Sequence, residues 1–102
     1  LKVAPENANL WINLAAARLG PMEESSRIQQ DHAIDAYQQA LTAQPDVPNV
    51  HYMLGLIYRV REESLRAVAH FTRALEQNPD DDDARRMLAA IAAEQINKEK
   101  DE

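Results

Sequence analysis

A chain of 102 residues holds one small domain, and 17 Asp and Glu against 11 Lys and Arg leave a net charge of −6, which argues against a phosphate-backbone partner. Cysteine is absent, so disulfides, thiolate metal sites and cysteine nucleophiles are excluded. Hydrophobic residues make up 45%, but only one Trp, three Tyr and one Phe are present, and Ala carries much of the total, which suits a thin helix-on-helix core. Two glycines and no long alternating run leave little basis for a sheet, and no apolar run reaches membrane-spanning length.

Residues 1–5 read as the last turn of a preceding helix. The spacing Leu1 to Pro5 recurs as Leu41 to Pro45 and as Leu75 to Pro79. Further repeats are therefore expected before this stretch in the natural protein. Residues 6–45 form the first hairpin. Its first helix is expected over about Ala8 to Leu19, with Asn7 as N-cap and Trp11, Leu14, Ala15 and Arg18 at recurring positions. Gly20-Pro21 stops it, the glycine supplying a left-handed cap and the proline blocking continuation. The second helix carries Ala33, Tyr37, Ala40 and Leu41.

Residues 46–79 form the second hairpin. Pro48 suits the first turn of its first helix, in which Leu54 and Tyr58 share a face. The second helix carries Leu65, Ala67, Val68, Phe71, Ala74 and Leu75 at spacings of three and four. Gly55 and Ala67 are small where the two helices must approach closely, and Phe71 fills the space between hairpins. Residues 80–97 read as a further first helix capped from the Asp80–Asp83 run, and residues 98–102 as a charged tail.

The offsets expose an insertion. Ala33, Tyr37 and Ala40 precede Ala67, Phe71 and Ala74 by 34 residues, yet Trp11, Leu14 and Arg18 precede His51, Leu54 and Tyr58 by 40. Six extra residues therefore fall near Met22 to Arg27, with Ser25 or Ser26 capping the second helix. They are either a longer turn or a contact site at the edge of the stack.

Leu54-Gly55, Tyr58, Ala67, Phe71, Ala74 and Pro79 stand at the spacings of W-x2-L-G-x2-Y, A-x3-F and a closing Pro. The chain thereby resembles the tetratricopeptide repeat family. His51 stands in for the Trp, Arg18 for the Tyr of the first repeat and Arg85 for the Trp of the third. The resemblance implies an all-α, right-handed helical-hairpin solenoid with two complete repeats and flanking partial ones. It also implies a concave groove lined by first helices. Carried residue by residue, the partner-binding positions are Asn9, Ile12, Ala16 and Leu19, then Asn49, Tyr52, Leu56 and Arg59, then Asp83, Arg86, Ala90 and Ala93. Members that hold a peptide's terminal carboxylate use Lys, Arg and Asn where this chain has Ile12, Ala16, Met53, Asp83 and Met87. A heat-shock-chaperone tail is therefore not the expected ligand. The expected partner is a protein helix or extended apolar segment, with acidic groups for Arg59 and Arg86.

No P-loop, Ser-His-Asp order or Gly-rich cradle appears, and no enzyme activity, cofactor or metal is expected. His32, His51 and His70 are scattered, although His51 and His70 fall on opposite helices of one hairpin. The Asp80–Asp83 run lacks an EF-hand framework. Glu23-Glu24 and Glu62-Glu63 read as solvated turns. Two other roles compete with a binding module: a structural or oligomerisation unit whose groove meets its own chain or another copy, and regulatory repeats attached to an enzyme.

Overall fold

The computed structural model describes residues 7–100, with side chains as far as Lys98. The expected repeat tail at residues 1–5 lies outside the described residues. Five helices follow one another: α1 (Ala8–Leu19), α2 (Arg27–Ala43), α3 (Val50–Val60), α4 (Ser64–Gln77) and α5 (Asp82–Lys100). A single 3₁₀ turn, Met22–Glu24, sits between α1 and α2. No strand occurs among the described residues. α1 packs on α2 and α3 on α4, while α2 meets α3 and α4 meets α5 across the hairpin junctions. The result is an elongated helical-hairpin solenoid, 53 × 31 × 17 Å, in which contacts run between neighbours in sequence.

Local chemistry sets most boundaries. The Asn7 side chain accepts from the Leu10 N–H at 3.2 Å and caps α1. Gly20 ends α1 with φ +65, as expected of a glycine, but its ψ of −158 is extended rather than left-handed helical. Ser26 caps α2 in a full capping box: its hydroxyl accepts from the Gln29 N–H, and the Gln29 side chain accepts from the Ser26 N–H. Asp81 accepts from the Ala84 N–H at 3.0 Å and opens α5.

Two boundaries and the exposure of one residue differ from expectation. Pro48 lies in a turn before α3 rather than in its first turn, because Asn49 interposes a left-handed residue, φ +70, at the N-cap. α5 does not stop at Asn97 but continues to Lys100. Its last residues are Glu, Gln, Asn and Lys with no Gly or Pro to break the ladder, and charge alone does not end a helix. Leu65, grouped with the buried face of α4, is 89% exposed; burial on that helix begins at Ala67. A spacing of three or four reports the direction of a side chain, not whether a neighbour meets it.

The core is built from small residues facing large ones. A Cβ placed on Gly55 would sit 2.7 Å from the Phe71 ring, and Phe71 is fully buried. The close approach of α3 to α4 therefore requires glycine there. Ala15 and Tyr37 occupy the corresponding places in the first hairpin, both buried. Burying one such aromatic ring contributes about 2 kcal/mol.

Candidate protein-binding cleft

Leu56, Arg59 and Val60 on α3 line a cavity of about 570 Å³. Met22 and Glu23 of the 3₁₀ turn close one side, Glu94 and Lys98 of α5 the other, and Glu62 and Ser64 the end. The insertion and the α3 positions named from the repeat thus share one cleft. A shallower depression continues past Glu62 and Ser64 to Leu65 and Gln95. The exposed Val60 and Leu65 side chains therefore extend the apolar surface over the end of α3.

Hydrogen bonds fasten the insertion to the second hairpin. The Ser25 hydroxyl donates to the Met22 carbonyl at 2.8 Å. The Gln30 amide donates to the Ser25 hydroxyl at 3.0 Å and to its carbonyl at 3.3 Å. Arg61, in the α3–α4 turn, donates through Nε to the Gln30 carbonyl oxygen at 3.0 Å. Its Nη2 reaches the Arg27 carbonyl at 3.3 Å and the Asp31 carboxylate. The Arg61 side chain is only 7% exposed, so these acceptors replace the water it has lost. Gln30 is buried and depends on the same network.

The turn that carries Arg61 is strained in one place. Glu62 adopts φ +63, and it closes the helix in a Schellman arrangement: the Glu62 N–H bonds the Arg59 carbonyl and the Glu63 N–H the Tyr58 carbonyl, both at 2.9 Å. Glycine is the usual residue there.

The residues named from the repeat fall into separate groups. Leu56 and Arg59 line the cleft. Ile12 is half-buried on α1, Asn9 and Ala16 are exposed, and Ala90 is half-buried on α5. Leu19 is corrected: at 3% exposure it belongs to the core and presents little surface to a partner. Asn49 is exposed; its backbone is left-handed at the start of α3, and its side chain makes no capping bond. Tyr52 does not point freely into the groove. Its ring packs on Phe71, centroids 5.6 Å apart, and burial, followed by the charges of Asp83 and Asp81, holds its hydroxyl pKa above the usual value.

The two arginines are also committed. Arg59 donates to the Glu94 carboxylate at 2.7 Å and to the Met87 sulfur at 3.5 Å, joining α3 to α5. Arg86 pairs with Asp83 within its own helix at 2.5 Å. An acidic partner would have to displace these carboxylates. Glu23 and Glu62 form no ion pair among the described residues, so the rim is carboxylate-rich. Sequence reasoning placed Met22 in an insertion offered as a contact site, but it did not name Val60, Glu94 and Lys98 as lining residues. The six-residue offset was the available signal for Met22; nothing in the spacing pointed to the α5 pair.

No group of three or more His, Asp or Glu that could hold a metal ion occurs among the described residues, and no helix among them is long and apolar enough to cross a membrane. No curated protein matches the chain. A family model described as tetratricopeptide repeat matches it twice, over residues 31–81 and 52–101. Together with stacked hairpins that close Gly55 onto Phe71 at the family's own motif positions, these matches establish that the chain belongs to the tetratricopeptide repeat family.

Proposed function

We propose that this chain is a non-catalytic module that binds a peptide segment of another protein in the cleft between the 3₁₀ turn, α3 and α5. Tetratricopeptide repeats are in general protein–protein interaction modules, and the proposal concerns where and what this one binds. The observation that carries it is a cavity of about 570 Å³ that joins the apolar Leu56, Val60 and Met22 to three carboxylates, Glu23, Glu62 and Glu94, against two cations, Arg59 and Lys98, of which Arg59 is paired with Glu94. A segment with a large apolar side chain and an adjacent Lys or Arg fits this arrangement. Asn9, Ile12 and Ala16 on α1, with Ala90 on α5, lie outside that cleft and would contact the rest of the segment. Arg59 and Arg86 serve the cleft mainly by holding α3 to α5 and by ordering the first turn of α5.

Peptides selected from a random phage-displayed library test this directly. Bound sequences should pair an apolar residue with a basic one. Val60→Glu and Met22→Ala should each weaken binding of the selected peptide about tenfold, as measured by fluorescence anisotropy, since a contact of about 1.4 kcal/mol corresponds to that factor. Both positions lie outside the buried core, so melting should change little. Equal affinity of both variants and the parent for the selected peptide would remove the cleft as the site. A concentration-dependent dimer that Val60→Glu dissociates, with no peptide selected, would assign the face to a second copy instead.

A further inference from the structure

His51 on α3 and His70 on α4 meet Nδ1 to Nδ1 at 3.0 Å. Their ring centroids are 5.2 Å apart and the rings are inclined by only 28°. The centroid separation exceeds the nitrogen separation by nearly two ring radii, so the two nitrogens point at each other along the line joining the rings. One must carry a hydrogen and the other must not, because two bare lone pairs or two N–H groups would repel. Head-on nitrogens suit a shared hydrogen. A metal ion would need both lone pairs to converge on a third point. His70 also stacks on Tyr58, centroids 5.5 Å apart and planes 11° from parallel, and the Arg66 guanidinium lies 5.6 Å from the Tyr58 ring. The hydrogen-bonded pair and this stack together span the second hairpin.

We propose that the His51–His70 pair is an acid-sensitive latch that closes α3 onto α4 when both imidazoles are neutral and releases the second hairpin when they are protonated. Doubly protonated rings would each present an N–H to the other at 3.0 Å, and the bond cannot survive. The surroundings oppose protonation. His51 is 7% exposed. Burial and then the neighbouring His51 and Arg73 push His70 down to about 4; burial and then Arg73 push His51 below its usual value, with Glu76 opposing. Arg73 and Glu76 are both on α4, and no charged group of α2 or α5 among the described residues adds to these effects.

The sign follows from linkage. The folded pair binds fewer protons than the unfolded chain below the ordinary imidazole value of about 6.5. Stability is therefore steady above that pH and falls as pH drops towards 4. His70 lowers the folding constant by up to about tenfold per pH unit within that window, and His51, shifted the same way, adds to the loss. The first hairpin lacks the device: Trp11 stands at the place of His51 and Ala36 at that of His70.

That correspondence supplies the test. Melting is followed by circular dichroism at pH 7 and pH 5, a range chosen to lie above most carboxylate titration. The parent chain should melt lower at pH 5 than at pH 7. The double variant His51→Trp, His70→Ala, which copies the first hairpin's pair, should lose less than half as much. Imidazole ¹⁵N spectra of the parent at pH 6 should show both rings neutral, with a coupling across the Nδ1–Nδ1 bond. Should the double variant not fold, His70→Phe, which keeps a ring against Tyr58, takes its place in the melting comparison. Parallel losses in parent and variant, or ¹⁵N titration of both imidazoles near 6.5, would overturn the latch.

Discussion

The two hairpins solve one packing problem with different residues and different turns. In the first, Ala15 and Tyr37, both buried, stand at the matching places, and α1 leads to α2 through Gly20, Pro21, the 3₁₀ turn, Ser25 and Ser26. In the second, Gly55 faces Phe71, and only Arg61 to Glu63 separate α3 from α4. The shorter connection ends α3 on a left-handed glutamate; the longer one spends its extra residues as a wall of the cleft. The inner positions tolerate little change, since they decide how close two helices come. The two turns differ in length, and the longer one, tied down through Gln30 and Arg61, is where the candidate binding surface arises.

Breaking the inner contact should give the largest effect. Gly55→Leu would drive a side chain into a ring that has no room to move, and overpacking of this kind costs about 1–3 kcal/mol. The melting temperature should fall by several degrees, while Ala15→Gly, which empties rather than overfills the matching place, should cost about 1 kcal/mol. Equal losses in the two would show that the hairpins are less different than their geometry indicates.

Cutting the tie between the hairpins comes next. Arg61→Met keeps the buried stem but strips Gln30 of its donor, and an unsatisfied buried polar group costs about 1–3 kcal/mol. Urea denaturation should show that loss, and hydrogen exchange should show faster opening around Ser25 and Gln30. An unchanged exchange pattern there would mean that the insertion holds its place without Arg61.

The smallest effect should be a gain. Glu62→Gly relieves a left-handed residue that costs an L-amino acid roughly 1 kcal/mol, partly offset by the greater freedom of glycine in the unfolded chain. A rise in melting temperature of a few degrees is expected, measured by calorimetry. A fall would show that the Glu62 side chain does more for the turn than its backbone costs.

Periodicity and punctuation carried the fold in the sequence. Asn7, Ser26 with Gln29, and Asp81 cap helices through bonds that involve only nearby residues, so their effect is legible without tertiary context. The offsets of 34 and 40 locate the insertion along the chain. The same offsets could not say where the insertion lies in space. Leu19 and Asn49 were carried to the groove by position in the repeat, but one is covered and the other starts a helix. Arg59 and Arg86 looked like free charges because their carboxylates, Glu94 and Asp83, are found only by packing α5 on α3 or by choosing a rotamer.

The sequence by itself determined the helices, their order and the family, because caps, breakers and the spacing of small and large residues act over one or two turns of chain. Tertiary structure alone decided that Met22 stands across a cleft from Glu94, that Arg61 reaches back to Gln30, and that two histidines nineteen residues apart share one hydrogen bond. These depend on the distance between helices, and that distance is set by the residue pairs in contact, above all Gly55 against Phe71, rather than by any pattern along a single helix.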